Sequence, residues 1–127
     1  MLLLDTSVLI QLEDELAARQ IGPVRDYLGA QKSLEHGCST VTVGELAAGS
    51  NEPAVRALLR RIRKIPLSEA ISYRAGLLER LLLRRGGRLG ENDNWIAATA
   101  LHYSATLVYF DGDFDRIEGL KRVRLGG

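Results

Sequence analysis

Leu2-Leu3-Leu4-Asp5-Thr6-Ser7 decides the fold. Three consecutive leucines stopped by a carboxylate are too short for a helix and too uniformly apolar for a half-exposed strand. Such a run is a strand buried on both faces. Asp5, Thr6 and Ser7 are residue types that cap helix N-termini, so a short helix is expected to follow, reaching about Leu12. The pattern returns near the far end. Ala105-Thr106-Leu107-Val108-Tyr109-Phe110 reads as an apolar strand, and Asp111-Gly112-Asp113 as the turn that closes it.

The intervening chain alternates in the same way. A helix is expected over 22–35, with Pro23 in its first turn, Val24, Leu28 and Gln31 on one stripe, and Gly37 as the glycine just past its end. Residues 38–41 read as a strand, and Thr42-Val43-Gly44-Glu45 opens a helix ending near Gly49. Residues 53–64 carry Val55, Leu58, Leu59 and Ile62 on one helical face. Ile65-Pro66-Leu67 fits an edge strand, where a proline is tolerated. Ser68 caps a long helix over 69–85 with the stripe Ile71, Ala75, Leu78 and Leu82. After a loop over 86–90 comes a helix over 91–103, and 121–125 could add a last strand before terminal glycines expected to fray. Short buried strands alternating with amphipathic helices imply a mainly parallel sheet covered on both faces, an α/β architecture. No repeat, linker or second core interrupts residues 1–127, so one domain is expected.

Composition narrows the function classes. Hydrophobic residues make up 46% and charged residues 26%, a globular balance. No apolar run approaches the roughly 18 residues that span a bilayer, and the opening lacks a basic stretch before its leucines, so neither a membrane span nor a signal peptide is expected. The single cysteine, Cys38, has no disulfide partner and reads as a small buried hydrophobe, in keeping with a reducing cytoplasm. Net charge is +1, which is no general polyanion signal. Basic residues do cluster, at Arg56, Arg60, Arg61, Arg63 and Lys64 and again at Arg80, Arg84, Arg85 and Arg88. These are either solvated helix faces or a rim that holds phosphates.

In open parallel sheets, ligands bind beyond the carboxyl ends of the strands. Four acids fall there. Asp5 follows the first strand, Glu45 lies four residues past Val41, Asp111 follows the strand 105–110, and Asp93 sits in the first turn of helix 91–103. Asp93 shares a helical face with Ile96, Ala97, Ala100 and Leu101, so its carboxylate is directed toward the core side. An unpaired buried carboxylate needs a metal, a cation or several donors. Each acid also has a bland explanation. Asp5 caps a helix, Thr42-x-x-Glu45 fits a capping box, Asp93 is favourable in a first turn, and Asp111 and Asp113 are turn formers. Those explanations do not account for four acids at one sheet edge. Carboxylates gathered round one point suit a hard divalent ion such as Mg²⁺ or Mn²⁺. Such an ion can orient and deprotonate a water and stabilise charge on a phosphodiester under in-line attack. His36, on the surface, and His102, at a helix end, have no ligand-spaced partner, and neither a P-loop nor a dinucleotide fingerprint is present.

Four segments together resemble the acidic motifs of PIN domains: Leu3 to Ile10 around Asp5, Thr42 to Gly49 around Glu45, Asn92 to Ala100 around Asp93, and Leu107 to Ile117 around Asp111. Order, spacing and length are similar to the VapC toxins over nearly the whole chain. The resemblance implies a three-layer α/β/α sandwich and a Mg²⁺- or Mn²⁺-dependent endoribonuclease, the toxin of a toxin–antitoxin pair. It implies Asp5, Glu45, Asp93 and Asp111 as the catalytic acids, with Asp5, Asp93 and Asp111 holding metal and Thr6 or Ser7 supporting by hydrogen bonds. Asp113 is either a ligand through water or a structural acid. The family often carries Thr or Ser two residues before the fourth acid; here that residue is Tyr109. Arg85 and Arg88 are the expected phosphate contacts on an RNA substrate such as tRNA, rRNA or mRNA. The resemblance also implies a homodimer and a VapB-like antitoxin; a cationic arginine fork set among the carboxylates in place of the metal is the expected means of inhibition. The stripes of helices 53–64 and 69–85 are available as interfaces, although core packing explains them too. Two other readings stay open: a non-catalytic RNA-binding module on the same fold, and a flap-type nuclease or phosphatase, for which the chain lacks a duplex-clamping insertion.

Overall fold

The structure is a computed structural model that describes residues 1–126; of the two terminal glycines expected to fray, Gly127 lies outside the described residues. Five parallel strands form one sheet: β1 (Leu2–Leu4), β2 (His36–Ser39), β3 (Arg63–Ile65), β4 (Thr106–Tyr109) and β5 (Lys121–Arg124), in the spatial order β3-β2-β1-β4-β5. The triple leucine is the centre of this sheet. Leu2 and Leu4 face one side, with Cys38 and Val108, while Leu3 faces the other, with Ile65, Leu107 and Tyr109. All three leucines are buried, each contributing about 1.5–3 kcal/mol by leaving water.

Helices cover both faces, which gives the three-layer α/β/α sandwich. On the Leu2/Leu4 side lie α1 (Thr6–Ala18), α2 (Pro23–Ala30), α3 (Thr40–Gly49) and α4 (Glu52–Leu58), through Val8, Leu9, Val24, Leu46 and Val55. On the Leu3 side lie α5 (Glu69–Arg84) and α6 (Glu91–Tyr103), through Ile71, Ala75, Leu78, Leu82, Ile96 and Ala100. The chain steps outward from β1 to β2 to β3, then crosses back through α5 and α6 to place β4 on the other flank of β1. The order therefore reverses between β1 and β4, and a crevice opens there beyond the strand ends. Among the described residues, no helix is long and apolar enough to cross a membrane.

Several boundaries differ from the sequence expectation. Helix α1 runs one and a half turns past Leu12, because Glu15, polar by type, is buried at 4% exposure. Its carboxylate accepts the backbone N–H groups of Gly22, Val24 and Arg25 at 2.9, 3.1 and 2.9 Å, capping α2 from outside. Gly22 itself offers no side-chain cap, and a Cβ there would meet Glu15 Cδ at 2.6 Å. Helix α2 ends at Ala30, and Gly37 is not its terminator but a residue of β2, where a Cβ would press on Met1 Sδ at 3.1 Å and the Arg63 carbonyl at 3.3 Å. His36 is likewise a half-buried strand residue rather than a surface one, whereas His102 does lie in the last turn of α6. Helix α4 stops at Leu58, and the edge strand β3 ends at Ile65, just before Pro66, which has no N–H to donate. The stripes Val55/Leu59/Ile62 and Ile71/Ala75/Leu78/Leu82 are core, not interface.

Candidate active site

The crevice between β1 and β4 is where the acids meet. Asp5 directly follows β1, and its N–H donates to the Val108 carbonyl at 3.0 Å, so the end of β4 fixes its backbone. It also caps α1. Its Oδ2 accepts the Ser7 N–H at 3.4 Å and the Ser7 hydroxyl at 2.6 Å. The side chain is buried, and Oδ1 has no hydrogen-bond partner. Burial pushes the Asp5 carboxyl up, the Ser7 and Thr6 hydrogen bonds pull it back, and the Glu45 charge adds to the rise; the net direction is up. One oxygen thus holds the helix while the other is dry and unspent.

Glu45 reaches the same place from α3. The capping box does not form, because Ser39, three residues earlier than Thr42, caps that helix by accepting the Val41 N–H at 3.1 Å. Thr42 is consequently an internal, buried residue of the first turn. Glu45 Oε1 instead accepts the Thr6 hydroxyl at 2.7 Å, and that hydroxyl lies 2.9 Å from the Thr42 hydroxyl. A small hydroxyl chain therefore aims Glu45 across from α3 to α1. Thr42 was not singled out from sequence as part of the site; the signal for it was its place one turn before Glu45 on the same helix face.

Asp93, in the first turn of α6, is half-buried and opens with Glu45, Gly90, Glu91 and Asn92 onto a depression of about 350 Å³. Its carboxyl is pushed up to about 6, first by burial and then by the charges of Asp5, Glu45, Asp111 and Asp113. Asp111 and Asp113 lie exposed at the rim beyond β4. Asp111 Oδ1 accepts the Asp113 N–H at 2.9 Å and caps a short 3₁₀ helix, Gly112–Arg116. All the predicted acids therefore share one electrostatic field.

Other predicted residues are placed elsewhere. Arg85 pairs with Glu118 at 3.0 Å and Arg88 with the half-buried Glu79 at 3.6 Å, so neither arginine bonds to the acidic cluster. The Tyr109 hydroxyl, at the position that often carries Thr or Ser, turns away from the acids. It donates to Asp115, which Arg124 also holds at 2.9 Å. Burial and the Asp115 carboxylate raise the Tyr109 phenol to about 12, so it stays a donor.

The site suits a divalent cation by its donor chemistry: hard carboxylate oxygens, one of them buried and unpartnered, and a carboxyl whose ionisation is hindered by its acidic neighbours. Among the described residues no group of three or more His, Cys, Asp or Glu is drawn together tightly enough to hold a metal as placed.

Comparison with known proteins agrees with this geometry. A family model described as the PIN domain matches residues 2–120. The chain is 34% identical over 122 residues to Ribonuclease VapC4 of Mycobacterium tuberculosis, covering 88% of this chain and 87% of that one. Among solved structures, VapBC-1 of nontypeable Haemophilus influenzae matches at 26% identity and a TM-score of 0.76, covering 97% of this chain and 96% of that one. VapBC2 of Rickettsia felis, bound to a DNA fragment from its promoter, matches in fold at 22% identity and a TM-score of 0.85, covering 98% of both chains. With four acids gathered at the strand ends of the matching sheet, the chain belongs to the PIN-domain family, in its VapC-type branch.

Proposed function

We propose that the protein is a divalent-metal-dependent endoribonuclease, the toxin of a VapBC-type pair acting in the cytoplasm. The observation that carries this is Asp5: a buried carboxylate with one oxygen spent on Ser7 and the other unpartnered, raised by the charge of Glu45 and itself acting with Glu45, Asp111 and Asp113 on Asp93. Asp5, Asp93 and Asp111 would hold the ion, directly or through water, with Glu45 kept in reach by Thr6. When bound, Mg²⁺ or Mn²⁺ lowers the pKa of an attacking water and stabilises charge on the phosphodiester oxygens. The chain's own part is positional. Ser7 and the α1 backbone fix Asp5, Thr6 and Thr42 fix Glu45, and the 3₁₀ turn fixes Asp111. Asp113 serves as a rim acid whose charge raises Asp93 and draws cations.

The experiment is cleavage of total tRNA and ribosomal RNA with Mg²⁺, Mn²⁺ or EDTA, beside Asp93→Asn. Discrete fragments that need metal and vanish in the variant are expected; identical products from both proteins would remove Asp93 from the chemistry. A non-catalytic RNA-binding module is the second reading, favoured by the open spacing of the acids. Titration of Mn²⁺ by calorimetry separates the two, since a module without its metal shows no binding heat that Asp93→Asn abolishes.

Partners follow from the same reading: a VapB-like antitoxin and a second copy of the chain. The face available for the copy is not the core stripe of α5 but its outer one, where Tyr73, Leu77 and Leu81 recur at four-residue spacing and stay exposed. The structures of VapBC complexes among the fold relatives support an antitoxin.

A further inference from the structure

A second depression, of about 400 Å³, lies between α5 and α6, lined among others by Glu79, Arg88, Glu91, Asn94 and Trp95. Glu91 also lines the acidic depression, so it forms the wall shared by the two. Asp93, Asn94 and Trp95 are consecutive on α6; the first opens onto the acids and the other two onto this second space. Its floor is fixed, because Asn94 Nδ2 donates to the Ala75 carbonyl at 2.9 Å and ties α6 to α5. Its size falls in the range of small-ligand sites, about 300–1,000 Å³.

Its chemistry is unusual beside a site for a polyanion. Two carboxylates face one guanidinium, so a phosphate gains nothing there. A flat group with N–H donors does. Trp95, half-buried, offers an aromatic surface, and a base stacks on such a surface whatever its sequence. Arg88, exposed, and Glu79, half-buried, meet at 3.6 Å, a long pairing that is readily exchanged for a better one. A carboxylate accepts two parallel N–H bonds when a partner presents adjacent donors. Guanine does so through N1–H and its exocyclic amine. Adenine and cytosine present one amine beside an acceptor that a carboxylate repels, and uracil one N–H between two carbonyls.

We propose that this space is a nucleobase subsite that seats the base next to the cleaved phosphate, stacks it on Trp95 and selects guanine through Glu79, with Glu91 beside it. The proposal rests on the ribonuclease reading and adds a sequence preference to it.

Trp95 is the one tryptophan in the chain, so its emission reports directly on stacking. The test uses the full chain carrying Asp111→Asn, a change outside the subsite that on the ribonuclease reading leaves bound RNA uncut. Fluorophore-labelled uridine hexamers with one central guanosine, adenosine or cytidine, or none, are titrated, reading both label anisotropy and Trp95 emission. The guanosine hexamer should bind about tenfold more tightly than the others and change Trp95 emission. Glu79→Gln should bring all four within about twofold, and Trp95→Phe should keep the preference by anisotropy where Trp95→Ala loses it. Equal affinities for all hexamers, or binding seen by anisotropy with Trp95 emission unmoved, would overturn the subsite while leaving the nuclease reading intact. No binding of any hexamer by anisotropy would also overturn the subsite, and the metal-dependent cleavage of tRNA and ribosomal RNA then decides the nuclease reading separately.

Discussion

Asp93 makes the metal-free protein pH-sensitive in an unusual direction. Its carboxyl titrates at about 6 in the fold against an ordinary 3.8. Between those values the folded chain keeps a proton that the unfolded chain has released, so stability falls as pH rises through that window. Metal-free protein should melt lower at pH 7 than at pH 5, and Asp93→Asn should lose part of that slope. The variant should gain less than about 1 kcal/mol at pH 7, since a partly solvated charge is screened. It should at the same time lose RNA cleavage by about 10²-fold or more, the size expected when a preorganised group in the reacting field is removed. A variant that is both less stable and fully active would contradict this account. Tyr109→Phe separates fold from chemistry in the other sense. Its hydroxyl serves Asp115 and not the acids, so cleavage should be unchanged while urea unfolding shows a loss of about 1 kcal/mol. At this scale the acids were legible because carboxylates stand out against apolar strands. Thr42 was signalled only by its place one turn before Glu45, and the direction of the Tyr109 hydroxyl not at all, because a hydroxyl's partner is set by tertiary placement that spacing does not encode.

Among elements, α2 depends most on a neighbour. Eight residues form a short helix, marginal alone, and its first N–H groups are satisfied by a carboxylate seven to ten residues upstream. Burial raises the Glu15 carboxyl, but the N–H groups of Arg25, Val24 and Gly22 and the Gln11 amide outweigh it and hold it below its usual 4.5. Here the sign is the ordinary one for an acid: the stabilisation is present above 4.5 and is lost as pH falls through the folded value. Glu15→Ala should cost about 3 kcal/mol in denaturant unfolding and loosen amide protection over Pro23–Ala30 first. Uniform loss of protection would mean that Glu15 supports the whole domain rather than this helix. The strands and α6 were readable because length, burial and periodicity agree there. The end of α1 and the start of α2 were not, since a polar residue buried to cap another helix looks like a surface residue in sequence. Gly37 misled for a related reason: a glycine required by crowding between strands has the same letter as one required by a turn.

For the whole molecule, the order β3-β2-β1-β4-β5 matters most, because it puts the ends of β1 and β4 side by side and lets residues more than a hundred positions apart form one site. Alternation of strand and helix signals that both faces are covered, yet nothing local says which side of β1 receives β4. The same assembly leaves α5 with two apolar stripes, one buried and one exposed. Only their spacing, not their fate, is visible in sequence. If the outer stripe joins two copies, Leu77→Glu should convert a dimer to a monomer by light scattering without lowering the melting temperature of the monomer. A dimer that survives the change would place the contact elsewhere.

The divided carboxylate of Asp5 has a consequence for how such a gene can decay. One oxygen caps α1 and the other is buried without a partner; if the second serves the proposed chemistry, substitutions here are filtered twice. In a selection for cells that survive expression, mutants that still accumulate folded protein should carry varied replacements at Glu45, Asp93 and Asp111. At Asp5 they should be nearly all Asn, the neutral residue that still caps a helix.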